Sequence, residues 1–95
     1  MAEISVAAVI PLYNGAPFIR EAVESVINQT VPVDEIIVVD DGSSDEGPAI
    51  VKEMAKDHPI TLLNKTNGGQ SSARNMAILH TKCSHIAFLD QDDAW

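Results

Sequence analysis

Three carboxylates stand together near the end of this 95-residue chain, directly after an apolar run. The run covers residues 86–89, and Asp90, Asp92 and Asp93 follow it. Carboxylates crowded in this way repel one another unless a cation lies among them. Mg²⁺ takes oxygen ligands, and in proteins it often uses one or two carboxylates together with substrate phosphates. The spacing therefore predicts a site for a divalent metal ion and a phosphate group.

Polar residues also follow the earlier apolar runs. Tyr13 stands just after the run at residues 4–11, where its ring could stack on a planar base or pack the loop against the next helix. The sequence leaves both roles open. Asp40 ends the run at residues 35–40, and Asp41 opens the turn that follows. One of these carboxylates can cap the turn, which leaves the other to accept a hydrogen bond from a base N–H or a ribose hydroxyl.

A third polar loop contains Gly68 and Gly69 ahead of a predicted helix, so its backbone N–H groups could face an anion. Arg74 follows in the same motif and can either fork to a phosphate or hold a loop carboxylate such as Asp41. The loop lacks the Gly-Lys-Ser/Thr ending of a Walker A motif. No G-x-G-x-x-G follows the first apolar run, which weakens an interpretation as a nicotinamide-binding protein.

The elements that must position these loops alternate along the chain. Short β-branched apolar runs predict strands at residues 4–11, 35–40, 60–63 and 86–89. Amphipathic segments between them predict three helices. This alternation predicts an α/β fold, a Rossmann-like βαβαβαβ parallel sheet with helices on both faces. The carboxyl ends of the strands, and with them the polar loops, then meet at one edge of the sheet.

Helical spacing predicts which side chains face the sheet and where the helices begin. Phe18 is expected on the apolar face of the first helix, and Ile78 on that of the third. Ser71 or Ser72 is expected to cap the third helix, which runs to about His80.

Composition narrows the classes of protein. The net charge of −8 argues against a nucleic-acid partner, because phosphate backbones attract Lys and Arg. The single cysteine, Cys83, precludes an intrachain disulfide and fits a reducing compartment. No apolar stretch approaches the ~18 residues of a membrane span, and no secretory signal opens the chain. His58, His80 and His85 lie at predicted element ends, which favours exposed or capping roles over a ligand set.

Taken together, the loops resemble those of the inverting nucleotide-sugar glycosyltransferases of family 2, which have the GT-A fold. The matching segments follow the family's order and span nearly the whole chain. They are Val9-Ile10-Pro11-Leu12-Tyr13-Asn14, residues 25–30, residues 36–45, residues 67–75 and Phe88-Leu89-Asp90-Gln91-Asp92-Asp93-Ala94-Trp95.

The resemblance implies roles for individual residues. Tyr13 would stack on the base, most often uracil, with Asp41 at the base edge and with Pro11 and Asn14 beside it. Arg74 would lie near the uridine and Asp41. In the motif Asp90-Gln91-Asp92, the first carboxylate would approach the ribose and the metal. Asp92 would hold Mg²⁺ or Mn²⁺ on the diphosphate.

The resemblance also implies a reaction, in which a sugar moves from a nucleotide-diphosphate donor to an acceptor hydroxyl with inversion. Residues 1–95 would form the donor-binding part of one GT-A domain, the N-terminal half, with the general base expected beyond Trp95. The acceptor would be a saccharide or a lipid-linked saccharide. We expect a cytoplasmic protein that acts at the inner face of the membrane when full-length, and self-association through an exposed apolar sheet edge.

Two alternatives remain open on the sequence. The first is a catalytically incomplete fragment that binds nucleotide. The second is a receiver-like regulatory domain, which also places acids around Mg²⁺ at strand ends. A receiver would need a Lys on a later strand, and none follows Lys82.

Overall fold

The structure is a computed structural model that describes residues 4–29 and 33–92. Strands and helices alternate through these residues as the apolar pattern predicts. In chain order they are β1 (Val6–Leu12), α1 (Ala16–Ile27), β2 (Glu35–Asp41), α2 (Gly47–Met54), β3 (Ile60–Lys65), α3 (Gln70–His80) and β4 (His85–Phe88).

The four strands form one parallel sheet in the order β3-β2-β1-β4. At the centre of the sheet, Val9 of β1 pairs with Ile37 of β2 on one side and Phe88 of β4 on the other. The parallel βαβ connections bring the ends of all four strands to one edge. The predicted α/β architecture is confirmed.

Helices cover both faces, and successive residues of β1 and β2 alternate between two apolar cores. On one face Ile10 and Val38 pack with residues of α1 and α2. On the other face Val9 and Ile37 pack with residues of α3. Truncating such a fully buried Ile to Ala costs about 2–5 kcal/mol, so the two central strands form the rigid frame from which the loops project.

Strand bounds differ from the sequence prediction by one or two residues in each strand. The first strand begins at Val6 instead of residue 4 and reaches Leu12, which pairs with Asp40. The third strand passes residue 63 and ends at Lys65, which pairs with Asp41. The fourth strand ends at Phe88, although the Leu89 N–H still donates to the Val9 carbonyl (3.0 Å).

Two expectations about the helices are wrong. Phe18 and Ile78 are each 48% exposed, because the covered faces of α1 and α3 are narrower than the runs of apolar residues. The N-cap of α3 is Gly69, at φ 93°, and neither Ser71 nor Ser72 caps it. Instead, the backbone N–H groups of Gly68 and Gly69, just before α3, donate to the carboxylate of Asp41, as described below. None of the helices within the described residues is long and apolar enough to cross a membrane.

Candidate functional site

A cleft lies at the carboxyl edge of the sheet, where the loops after β1, β2 and β4 meet. Its lining comprises Pro11, Leu12, Tyr13, Asp41 and Gln91. The enclosed volume is about 40 Å³, which is room for only one or two water molecules. A planar ring would therefore lie at the mouth, where the side chain of Tyr13 stands 46% exposed.

Asp41 is the most constrained group in this cleft. Its residue is 4% exposed, and three donors meet its carboxylate. Lys65 Nζ (2.5 Å) and the Gly68 N–H (2.9 Å) donate to Oδ1, and the Gly69 N–H (2.9 Å) donates to Oδ2. An ionised carboxylate offers about four acceptor positions, so Oδ2 retains capacity for one more donor.

Competing effects set the charge of Asp41. Burial raises the pKa of this carboxyl, while the hydrogen bonds from Lys65, Gly68 and Gly69 and the charge of Lys65 lower it. The lowering effects win, and the pKa of Asp41 lies below its ordinary value. Asp41 is therefore an ionised group that only accepts hydrogen bonds.

Asp40 has the structural role that one member of the pair was expected to take. Its Oδ1 accepts the Ser43 N–H (3.0 Å) and so closes the turn after β2. The loop after β1 is tied to the same turn by Asn14, which lies at φ 48°. Asn14 Oδ1 accepts the Ser44 N–H (2.8 Å), and the Asn14 N–H donates to Ser43 Oγ (3.0 Å). Asn14 thus joins the two loops.

Gln91 connects the loop after β4 to the loop after β1. The Tyr13 N–H donates to Gln91 Oε1 (2.8 Å), and Gln91 Nε2 donates to the Tyr13 carbonyl (3.0 Å). A Cβ at Gly15 would clash with Gln91 Oε1, so a larger residue there would displace the Gln91 amide from Tyr13. The middle residue of Asp90-Gln91-Asp92 therefore fixes the backbone of Tyr13 relative to the acidic segment.

One of the two predicted roles for Arg74 was to pair with Asp41, and the structure does not show this pair. Arg74 Nη2 lies 3.9 Å from Asp90 Oδ1, and its guanidinium carbon lies 5.1 Å from the centroid of the Phe88 ring. The reason is that Lys65 already occupies the position beside Asp41. Arg74 Nε is buried without a hydrogen-bond partner among the described residues. The guanidinium therefore has an unused donor close to the acidic segment.

The acidic segment suits a hard cation in its donor chemistry. Asp90 and Asp92 supply exposed carboxylate oxygens, and Mg²⁺ often uses one or two carboxylates plus phosphate oxygens. Asp93 lies outside the described residues. Within residues 4–29 and 33–92, no three His, Cys, Asp or Glu side chains come together as a complete metal cage. The two carboxylates fit a metal whose remaining ligands come with the substrate.

Two residues of the site escaped the sequence prediction, Lys65 and Gln91. Lys65 lay beyond the end that the apolar run gave to the third strand. Extending that strand with its period of two would have placed Lys65 on the same face as Leu63, but only the strand register brings it level with Asp41. The partner of Gln91 lies 78 residues away, and no local pattern indicates such a contact.

A larger hollow, of about 400 Å³, lies at the opposite edge of the sheet. Its lining residues are Ser5, Asp34, Glu35, His80, Lys82 and Cys83. Ligands of open α/β sheets bind outside the carboxyl ends of the strands, and this hollow lies where strands begin. We therefore place the candidate site at the smaller cleft.

Comparison with known proteins shows the family and the fold of the chain. The sequence profile described as glycosyl transferase family 2 matches residues 7–95. The uncharacterised glycosyltransferase EpsJ of Bacillus subtilis (strain 168) is 42% identical over 89 residues, covering 93% of this chain and 26% of the relative. The minor teichoic acid biosynthesis protein GgaB of the same organism is 43% identical over 89 residues, covering 90% and 10%.

Solved structures give the same result for the fold. A mannosyltransferase from Pyrobaculum calidifontis, PcManGT, in complex with GDP-Man and Mn²⁺, superimposes with a TM-score of 0.87 at 34% identity, over 95% of this chain and 28% of that one. TarS 1-349 of S. aureus, in complex with UDP-GlcNAc, gives 0.86 at 29% identity, over 96% and 27%. These neighbours are GT-A glycosyltransferases, and this chain corresponds to their N-terminal part.

The chain therefore spans about a quarter or less of the length of these relatives. The family profile matches residues 7–95, nearly the whole chain, and this match excludes the receiver-domain alternative. The predicted family resemblance is confirmed, and the chain belongs to glycosyl transferase family 2.

Proposed function

We propose that residues 1–95 form the donor-binding part of a single GT-A domain that uses a nucleotide-diphosphate sugar, with UDP-sugar as the donor. The observation that carries this proposal is the buried, ionised Asp41 beside Tyr13 in the cleft at the carboxyl edge. A fixed acceptor next to an exposed ring is what recognition of a nucleobase edge and face requires.

The charge of Asp41 selects among bases. An ionised carboxylate accepts hydrogen bonds and cannot donate them, so it favours a ring that offers an N–H between carbonyl groups or beside one. Uracil and guanine present such an N–H, whereas cytosine and adenine present a bare nitrogen acceptor at the same edge. For this cleft we propose uracil of the two, because it is the base that the family resemblance implies. Pro11 lines the same cleft and contributes apolar contact.

The diphosphate would lie beyond the base, over the acidic segment. Asp92 and Asp90 would hold Mg²⁺ or Mn²⁺, with Asp90 also close to the ribose. A bound divalent ion offsets the charge of a diphosphate and of the leaving group as the sugar departs. Arg74 supplies a further cation beside Asp90, and its Nε–H has no partner within residues 4–29 and 33–92. PcManGT, the Pyrobaculum neighbour, was solved with GDP-Man and Mn²⁺, which supports this assignment.

The acceptor side of the reaction is proposed from the family alone. We infer transfer with inversion to the hydroxyl of a saccharide or lipid-linked saccharide, with a general base beyond Trp95. Asn14, whose side chain joins the loops after β1 and β2, then positions the base pocket rather than touching the nucleotide. The relatives extend well beyond this chain, and their remaining length is where acceptor contacts are expected. A cytoplasmic location, at the inner membrane face, follows from the same proposal.

The test is a titration of ¹⁵N-labelled protein with UDP and Mg²⁺, followed by amide chemical shifts. We expect the largest changes at Tyr13, Gly68, Gly69 and Gln91. The hollow at the opposite edge provides an internal control, because the amide of Cys83 in its lining should not shift. Changes centred on the opposite edge, or none at all at millimolar UDP, would contradict the proposed site.

A further inference from the structure

Lys65 is the charged residue most closely engaged with the candidate base site, and neither the family comparison nor the sequence motif assigns it a role. Its Nζ lies 2.5 Å from Asp41 Oδ1 and 2.6 Å from the Thr66 carbonyl. The two side chains of this ion pair are 12% and 6% exposed. In contrast, the ion pair between Lys56 and Glu53 has side chains that are 71% and 66% exposed.

We propose that Lys65 is a positioning residue that determines base selectivity, by fixing Asp41 as an ionised acceptor with one free position. This inference rests on the proposed function and adds a residue to it. The role is indirect, since Lys65 acts on the nucleotide through Asp41. The same contact also helps to fix the conformation of the loop that precedes α3.

Geometry explains how one ammonium group can do this. Lys65 and Gly68 together fill the two acceptor positions of Oδ1, and Gly69 takes one position of Oδ2. The carboxylate therefore cannot rotate without losing three hydrogen bonds. A Cβ at Gly68 would stand 3.0 Å from Lys65 Nζ, which shows how tightly the loop closes over the ammonium group. One acceptor position remains for a ligand.

Charge explains the selectivity. A buried carboxylate without a cation tends to take up a proton, and a protonated carboxyl can donate to a bare ring nitrogen. Within the part of the chain that the structure describes, Lys65 from β3 is the charged group paired with Asp41. Tyr13, which follows β1, lines the same cleft, and the loop before α3 presents backbone N–H groups. Removing the charge of Lys65 should therefore change which base edge Asp41 accepts.

The experiment compares Lys65→Arg, Lys65→Gln and Lys65→Met with the wild-type protein and with the control Lys56→Met. Dissociation constants for UDP and CDP are measured from pH 5 to 8 with Mg²⁺ present. We expect Lys65→Gln and Lys65→Met to bind UDP at least ten-fold more weakly. Their UDP-to-CDP preference should fall by ten-fold or more, most of all at pH 5. Lys65→Arg and Lys56→Met should keep the wild-type preference.

A purely structural role for Lys65 predicts a different result. All three Lys65 variants would then lose affinity for UDP and CDP in equal proportion, at every pH, and this outcome would overturn the inference. Loss of preference in Lys65→Arg as large as in Lys65→Met would overturn it too, because the charge would not be what matters.

A carboxyl ¹³C titration of Asp41 in nucleotide-free protein separates this inference from the proposed function. We expect the pKa of Asp41 below its ordinary value in wild type, and higher in Lys65→Gln than in wild type. An ordinary pKa in wild type overturns the inference even if UDP binds, and remains decisive if the charge-removing variants do not fold. The expected titration without any UDP binding would overturn the proposed function while leaving the effect of Lys65 on Asp41 in place.

Discussion

The two ends of the candidate site are built differently. Around Asp41, three hydrogen bonds hold the carboxylate within the folded chain, and the one from Lys65 is also a buried ion pair. Around Asp90, the pair with Arg74 spans 3.9 Å between side chains that are 50% and 40% exposed. Asp92 is exposed as well. The proposed base end is therefore preformed in the protein alone, while the acidic end presents exposed carboxylates that a bound metal ion and diphosphate would complete.

This difference fits a division of labour in recognising a nucleotide diphosphate. A base edge is a fixed array of donors and acceptors. A preformed acceptor can bind it with little loss of conformational entropy. A diphosphate and a divalent ion bring their own charge and ligands, so the protein needs only to supply oxygens at the right edge. Variants at the two ends should accordingly differ in what they damage.

The largest effect should come from breaking the buried pair at the base end. Asp41→Asn leaves the ammonium group of Lys65 buried without its counter-charge, and we expect a loss of about 3–5 kcal/mol in the free energy of unfolding. Asp40→Asn is the matched control, since Asp40 is also buried but accepts one backbone N–H, and it should cost about 1 kcal/mol. Urea unfolding measures both. Equal losses would mean that the ion pair adds nothing.

The same pair should leave a signature in the pH dependence of stability. The folded pKa of Asp41 is depressed, so its contribution is fully present above the unfolded value of ~3.9 and is lost as pH falls through the folded pKa. We expect the unfolding free energy of wild type to fall more steeply than that of Asp41→Asn below about pH 4. Parallel pH profiles of the two proteins would show that Asp41 titrates normally.

The next effect concerns the ring at the mouth of the cleft. Tyr13→Ala should weaken UDP binding by about 1–3 kcal/mol if the ring stacks on the base, on the scale of aromatic stacking in nucleic-acid complexes. Tyr13→Phe should be nearly silent, because stacking needs the ring and not the hydroxyl. Calorimetric titration of the wild type, Tyr13→Ala and Tyr13→Phe with UDP measures the three affinities. An equal loss in Tyr13→Phe would assign the binding energy to the phenol oxygen.

A smaller effect is expected at Gln91, which joins the two ends. Gln91→Met keeps the shape of the side chain and removes both hydrogen bonds to Tyr13, each of which contributes about 0.5–1.5 kcal/mol. Hydrogen exchange of the Tyr13 amide should then become faster. Gln29→Met is the control, because Gln29 bonds to the Ser25 carbonyl in α1 instead. Unchanged protection of the Tyr13 amide would mean that Gln91 does not fix this loop.

The smallest effect is predicted for Arg74 in the absence of ligand. Its pair with Asp90 is long and half exposed, so Arg74→Lys should change the unfolding free energy by less than about 1 kcal/mol. Urea unfolding in low salt measures this change. A loss comparable to that of Asp41→Asn would erase the contrast between a preformed base end and an open acidic end.

The sequence predicts the frame of this site better than its contacts. Period and β-branching located the strands because both faces of β1 and β2 are buried, and that burial demands continuous apolar runs. The buried faces of the helices were harder to predict. Phe18 and Ile78 are exposed because the covered faces of α1 and α3 are narrower than their runs of apolar residues. Self-association through the β4 edge remains a prediction.

Contacts between side chains distant in sequence lay beyond the local pattern. Asp41 was identified as a candidate from its motif, yet its cation is Lys65, brought level by strand register. Arg74 was expected near Asp41 and instead pairs with Asp90. Register and loop closure decide such partners, and neither can be read from composition or spacing.

Calorimetry of UDP binding with and without Mn²⁺, in wild type and Asp92→Asn, tests the central claim most directly. If the acidic end is completed by a metal ion and a diphosphate, Mn²⁺ should strengthen UDP binding by wild type. In Asp92→Asn the same titrations should differ little from each other, while the weak metal-free affinity, which comes from the base end, stays at the wild-type value. Equal metal dependence in the two proteins would contradict the account.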